Sequence, residues 1–166
     1  MSNRVGATVR ILMMVILCCA TLPPLGFAQE KALMLDEMTK QADVVVVGKV
    51  TTKRSEWNSD KTRIYTRVTI DVDDCLKGTS GKSIEVFVPG GEVGRVGELY
   101  THMPKFSKDE NVIVFAEKDR SGRYRVAGAS GGKYSVKKDE KTGERIVSNR
   151  VPLDRFKEEI RRAESK

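Results

Sequence analysis

DVVVVGKVT, residues 43–51, holds four consecutive valines and a fifth after Gly-Lys. Branching at Cβ stiffens each of these side chains and suits them to a pleated strand. The run has no polar alternation, so it reads as a buried strand. Gly48 interrupts it and predicts a bulge or a strand bend. Upstream, residues 31–41 (KALMLDEMTKQ) predict a short amphipathic helix. Leu35, Met38 and Ala42 follow helical spacing, as do Met34 and Met38. Downstream, residues 53–61 (KRSEWNSDK) read as a polar loop carrying Trp57.

Residues 62–76 (TRIYTRVTIDVDDCL) give the longest strand signal. Ile64, Val68, Ile70, Val72 and Leu76 share one phase, while Arg63, Tyr65, Arg67, Thr69 and Asp71 take the other, the pattern of a half-buried strand. The Asp71, Asp73 and Asp74 cluster reads as a strand end bending around a bulge. A turn cluster at 77–82 leads to a third strand at 83–88, which Pro89-Gly90-Gly91 ends. Residues 90–108 are irregular and longer than a common connection, and such loops are often functional. Strands follow at 111–117 and 123–128 around the turn at 119–122, then an exposed hairpin at 132–137 and 145–148. Leu153, Phe156, Ile160 and Ala163 line one face of a closing helix at 153–164, with Pro152 at its start.

Five strands in this order, with a long first pair and an irregular third connection, predict a mainly β fold: an OB-like five-stranded Greek-key barrel with short N-terminal and C-terminal helices. Closing the sheet removes its edges.

The N-terminus has its own signature. Arg4 and Arg10 precede an apolar run of ten residues, Ile11 to Ala20, and Gly26-Phe27-Ala28 offers small residues at a cleavage site. Residues 1–28 are expected to be a removed signal peptide, leaving one domain over 29–166 in a periplasmic or extracellular location. The run is too short to span a bilayer, so no stable membrane insertion is expected after cleavage. Net charge is +7, and removing the leader leaves 28 basic against 23 acidic residues. These charges are interleaved, as in KKDEKTGER, which describes a solvated surface. Cys18 and Cys19 leave with the leader, so Cys75 has no intrachain partner and the domain must hold itself by packing.

The stretches ADVVVVGKV, RIYTRVTIDVDDCLKG, IEVFVPGG, DENVIVFAEKD and GRYRVAG together resemble the netrin-like module, the group to which the tissue inhibitors of metalloproteinases belong. The likeness covers residues 42–128 and lies in the strand order, the Ala42-Asp43 start and the Leu76-Lys77-Gly78 strand end. The whole chain also resembles small exported bacterial proteins with the same pattern. The resemblance implies an OB-type barrel that binds proteins. Those inhibitors chelate the protease zinc through a free N-terminal cysteine. The expected mature terminus here is Gln29-Glu30-Lys31, so that mechanism transfers to no residue.

The residues nominate no catalytic set, no metal and no cofactor. His102 is the single histidine, whereas a zinc site needs three or four ligands. No G-x-S-x-G elbow accompanies it, and Ser130 in GASGG fits an ordinary turn. GGEVGRVG spaces Gly91, Gly94 and Gly97 by three but lacks the G-K-[ST] of a phosphate loop. Those glycines, with His102, mark a candidate recognition loop. Trp57, Arg63, Tyr65 and Arg67 form the second candidate, an aromatic and basic face of the kind OB barrels use for extended ligands. The expected function is therefore an exported, non-catalytic binding module with a protein partner, modulating an extracytoplasmic protease. The alternative is binding of an anionic polysaccharide or nucleic acid through the aromatic and basic face.

Overall fold

The computed structural model describes residues 26–165 except 149, with side chains from 34 onward. Residues 1–25, and with them most of the expected leader, lie outside the described residues. In chain order the elements are helix α1 (Gly26–Gln41), strands β1 (Val44–Trp57), β2 (Ile64–Lys77), β3 (Ser83–Pro89), β4 (Gly91–Val93), β5 (Val96–Glu98), β6 (Asn111–Lys118) and β7 (Tyr124–Val126), a 3-10 turn at Ala129–Gly132, strands β8 (Lys133–Lys138) and β9 (Arg145–Val147), and helix α2 (Leu153–Glu164). Helix α1 begins before the expected cleavage point at Ala28–Gln29. Residues Leu35–Lys166 form one compact unit. Of the other, Met1–Met34, only the first turns of α1 are described.

The valine run explains the architecture. Side chains alternate across a strand, and β1 meets apolar neighbours on both sides. Val44, Val46 and Val50 enter one hydrophobic cluster, and Val45 and Val47 enter another. β6 repeats the division, with Val112, Val114 and Ala116 in the first cluster and Ile113 and Phe115 in the second. The two strands pair antiparallel from Val44↔Ala116 to Lys49↔Asn111.

The first cluster is the barrel interior. Strands run β1-β2-β3-β7-β6, and β6 returns to β1, closing a five-stranded barrel. β3 and β7 are parallel at Val86↔Tyr124, while the other pairs are antiparallel. This is the OB-like Greek-key arrangement. Val68, Ile70, Ile84, Val86 and Phe106 complete the interior.

The second cluster covers the outside of β1 and β6. Leu35, Met38 and Ala42 come from α1 and its end, Leu153, Phe156 and Ile160 from α2, and Val136 and Val147 from the β8–β9 hairpin. The Tyr134 ring lies 6.0 Å from Phe115 and 4.8 Å from Phe156, and joins the layers. Asp74 fixes α2 from the other end, accepting bonds from Lys157 (2.8 Å) and Arg161 (3.2 Å).

The Leu76-Lys77-Gly78 strand end acts as a clasp. Leu76 enters the outer cluster. Lys77 Nζ donates to the carbonyls of Thr39 (2.6 Å) and Ala42 (2.7 Å) at the end of α1, where free carbonyls favour a cation. Gly78 has φ 73° and lies against the Asp43 carbonyl, so a Cβ there would collide with backbone.

Four expectations need correction. Leu76 does not share the phase of Ile64 and Ile70, because register shifts between Val45 and Val46 and between Val47 and Gly48 turn the end of β2 outward. Residues 53–57 belong to β1, paired through Trp57↔Ile64. Their polar cross-strand pairs, Ser55 with Thr66 (3.0 Å) and Glu56 with Arg67 (2.6 Å), gave no hydrophobic signal. Residues 90–108 include the β4–β5 hairpin. Met34 is 58% exposed, unlike Met38.

Phe115 is fully buried in the outer cluster. Phe115→Ala is expected to lower unfolding free energy by about 3–5 kcal/mol in urea titration, against less than about 0.5 kcal/mol for Met34→Ala. Equal effects would contradict the outer layer as core.

Candidate binding cleft

The β1–β2 ribbon reaches beyond the barrel, and the segment 90–110 folds back over it. Together they enclose a cleft of about 740 Å³. Its floor is Lys53, Ser55, Thr66, Val68 and Val88, one wall is the β4–β5 hairpin with Leu99 and Tyr100, and the other is Met103 to Ser107. Pockets for small ligands and peptide side chains span roughly 300–1,000 Å³ and combine apolar lining with few polar groups. This lining has that character. Leu99 is 81% exposed and Val96 48% exposed on the hairpin beside it.

Glycine makes the hairpin wall possible. Gly91, with φ 131°, lies directly over the Ser55 and Thr66 hydroxyls, where a Cβ would collide with both. Gly94, with φ 62°, is the first residue of the two-residue turn joining Val93 to Val96, the position that glycine takes in tight hairpins. Gly97 sits in β5 beside Glu92. Gly91 and Gly97 line the cleft and Gly94 does not. His102 has φ 72° and its carbonyl accepts the Ser130 N–H (2.8 Å), which ties the loop to the 3-10 turn. It stands outside the cleft lining.

The aromatic and basic candidates do not converge. Directly opposed residues share a face. Trp57 opposes the buried Ile64, whereas Tyr65 opposes Glu56 on the other face. Arg63 donates to Tyr100 Oη (3.1 Å), and Tyr100 in turn donates to Glu98 (3.3 Å), linking the ribbon tip to the hairpin. Arg67 bonds Glu56, lies 3.9 Å from Glu85 and stacks on Phe87 at 5.5 Å, with Arg123 at 5.3 Å from the same ring. Arg123 pairs with Asp119 and Arg125 with Glu117. Arg67, Arg123 and Arg125 thus have carboxylate partners that offset their charge, whereas Arg63 bonds a hydroxyl and has no ion-pair partner among the described residues.

Sequence reasoning missed Lys53, Leu99, Tyr100, Met103, Lys105 and Phe106. The available signal was Leu99-Tyr100, two bulky residues in an otherwise glycine-rich and charged stretch.

The second wall is anchored through a polar cluster. Glu110 accepts from Lys133 Nζ (2.6 Å), Ser135 Oγ (2.5 Å) and the Ser107 N–H (3.0 Å). Lys133 also donates to the Lys105 carbonyl (2.8 Å) and sits 5.2 Å from the centre of the Phe106 ring. Burial pushes the Glu110 pKa up, but the bonds from Lys133, Ser135 and Ser107 and the Lys133 charge outweigh it, so the carboxyl lies below its ordinary value.

The fold and this cleft define the chain as an OB-type barrel with a helical outer layer and a cleft beside its β1–β2 ribbon. No protein-family profile matches the chain, and no curated protein is significantly similar to it.

A depressed carboxylate pKa stabilises the fold above the unfolded value and loses that contribution as pH falls through the native one. Glu110→Gln is therefore expected to cost about 1–3 kcal/mol at pH 7. Its deficit against the unsubstituted chain should shrink as pH drops below the ordinary glutamate value of 4.5. Urea titrations showing a constant deficit from neutral to acid pH would contradict the cluster's role.

Proposed function

We propose that this chain is an exported, non-catalytic binding module whose cleft engages another protein. The observation that carries the reading is the cleft itself, with Leu99 presented to solvent on its rim at 81% exposure. Large apolar side chains placed together beside a concave surface are a mark of recognition sites. The resemblance of residues 42–128 to the netrin-like module supports a protein as the partner, an extracytoplasmic protease among the candidates. The leader-like sequence of residues 1–28 supports export. Among the described residues, no helix is long and apolar enough to cross a membrane.

The polymer-binding alternative draws less support. Affinity for a polyanion comes from cations free to neutralise phosphates or sulfates, and Arg67 is engaged by Glu56 and Glu85.

A photo-crosslinking residue at position 99 of the full-length chain tests both parts of the proposal in the producing cell. Crosslinks to a discrete protein are expected from position 99 and not from Lys141 on the distant β8–β9 hairpin. The crosslinked chain should begin at Gln29. Leu99→Asp, at an exposed position, should compete poorly for that partner while its unfolding midpoint stays unchanged. Equal crosslinking from both positions, or adducts that retain Met1, would refute the proposal.

A further inference from the structure

We infer that residues 103–108 are an acid-released strap: the ionised Glu110 carboxylate holds them as the second wall of the cleft, and its protonation frees them and the bound partner. This names a regulation of the binding site above and rests on that reading.

The attachments of the strap converge on one carboxylate. One Glu110 oxygen accepts the Ser107 N–H (3.0 Å), and the other accepts Lys133 Nζ (2.6 Å) and Ser135 Oγ (2.5 Å). Lys133 carries the hold onward, donating to the Lys105 carbonyl (2.8 Å) and lying 5.2 Å from the centre of the Phe106 ring. Residues 105, 106 and 107 are thus tied to Glu110 directly or through Lys133. Phe106 is the strap's anchor in the barrel interior, and it leans on the same Lys133. Met103 and Pro104 line both the cleft of about 740 Å³ and a second cavity of about 210 Å³. Space on both sides lets this stretch shift without displacing the core.

Left-handed backbone marks both ends of the strap, at His102 (φ 72°) and Asp109 (φ 65°). Outside glycine that conformation persists where neighbouring contacts enforce it. Past the strap, the Asp109 N–H donates to the Val50 carbonyl (2.8 Å) and the Val50 N–H to the Glu110 carbonyl (2.9 Å). The hinge is therefore pinned to β1, and the barrel stays closed when the strap moves.

Protonation of Glu110 removes the charge that Lys133 faces. Lys133 is then a cation with 11% side-chain exposure and no counter-ion, which favours its moving out toward water. In leaving, it gives up the Lys105 carbonyl and the Phe106 ring. The neutral carboxyl also holds the Ser107 N–H more weakly. No neighbouring group substitutes for Glu110. Asp109 is engaged by Lys49 (2.8 Å) in a solvent-exposed pair, which contributes little, and the strap's own Lys105 and Lys108 are cations. Burial pushes the Glu110 carboxyl up, but Lys133, Ser135 and Ser107 hold it below its ordinary 4.5. The hold is therefore complete above 4.5 and is lost as pH falls through the lower native value.

The test follows backbone amides of the full chain by nitrogen-15 NMR from neutral pH to well below 4.5, with exchange rates corrected for intrinsic pH dependence. Protection of residues 105–109 should fall about tenfold or more, the worth of a lost charge-assisted bond, while residues 112–116 stay protected. E110Q should show the low strap protection at every pH. S135A, which keeps the charge and removes one bond, should move the transition toward 4.5. In the producing cells, crosslinks from position 99 should weaken in acid, and in E110Q already at neutral pH. Strap protection that ignores pH overturns the inference, and so does simultaneous loss in 112–116, which is global unfolding. Crosslinks equal at both pH values and in E110Q overturn the regulation and leave the binding cleft standing. Absence of crosslinks at any pH overturns the binding reading and the regulation together.

Discussion

The structure depends on the antiparallel pairing of β1 with β6, buried on both faces. Val44 to Val47 and Val112 to Ala116 are at most 1% exposed. Each fully buried side chain of this size is worth about 1.5–3 kcal/mol relative to exposure. The paired strands thus link the barrel interior to the helical layer, and each half of the core needs the other. The free Cys75 thiol donates to the Lys77 carbonyl at 3.2 Å.

Double-sided burial creates a register problem. A one-residue slip normally exposes the apolar set and is rejected for that reason, but here both faces are apolar and hydrophobicity discriminates weakly. Polar and steric anchors supply the discrimination. The Asp43 carboxylate accepts the Lys118 N–H at 2.6 Å. Gly48 is pressed against the Asp71 carbonyl, where no other residue fits. Lys77 grips the end of α1. With that register set, the β1–β2 ribbon projects at a fixed angle, and the segment 90–110 can fold over it to make the cleft.

The elements legible in the sequence were those whose burial follows from apolar patterning. The valine run, the first part of the β2 alternation and the Leu153, Phe156, Ile160, Ala163 stripe each marked a real core element. The strand order then specified the barrel. The end of β1 was illegible because Thr52, Ser55 and Glu56 pair with Thr69, Thr66 and Arg67 through polar groups, which look like loop in one dimension. The phase of Leu76 was hidden because bulges leave no compositional trace. The cleft was only partly legible. Gly91 and Gly97 line it, but its floor and charges come from Lys53, Val68, Val88 and Lys105, which lie apart in sequence and meet only through the fold. Tyr65 and Arg67 do point outward, yet Trp57 shares the opposite face, so proximity in sequence misled.

Native-state amide hydrogen exchange tests the double-sided core most directly. Amides of residues 44–47 and 112–116 should exchange only through global unfolding, while those of 91–98 should exchange through local opening with a lower free energy. A barrel in which 91–98 is as protected as 44–47, or in which 44–47 exchanges early, would contradict the account.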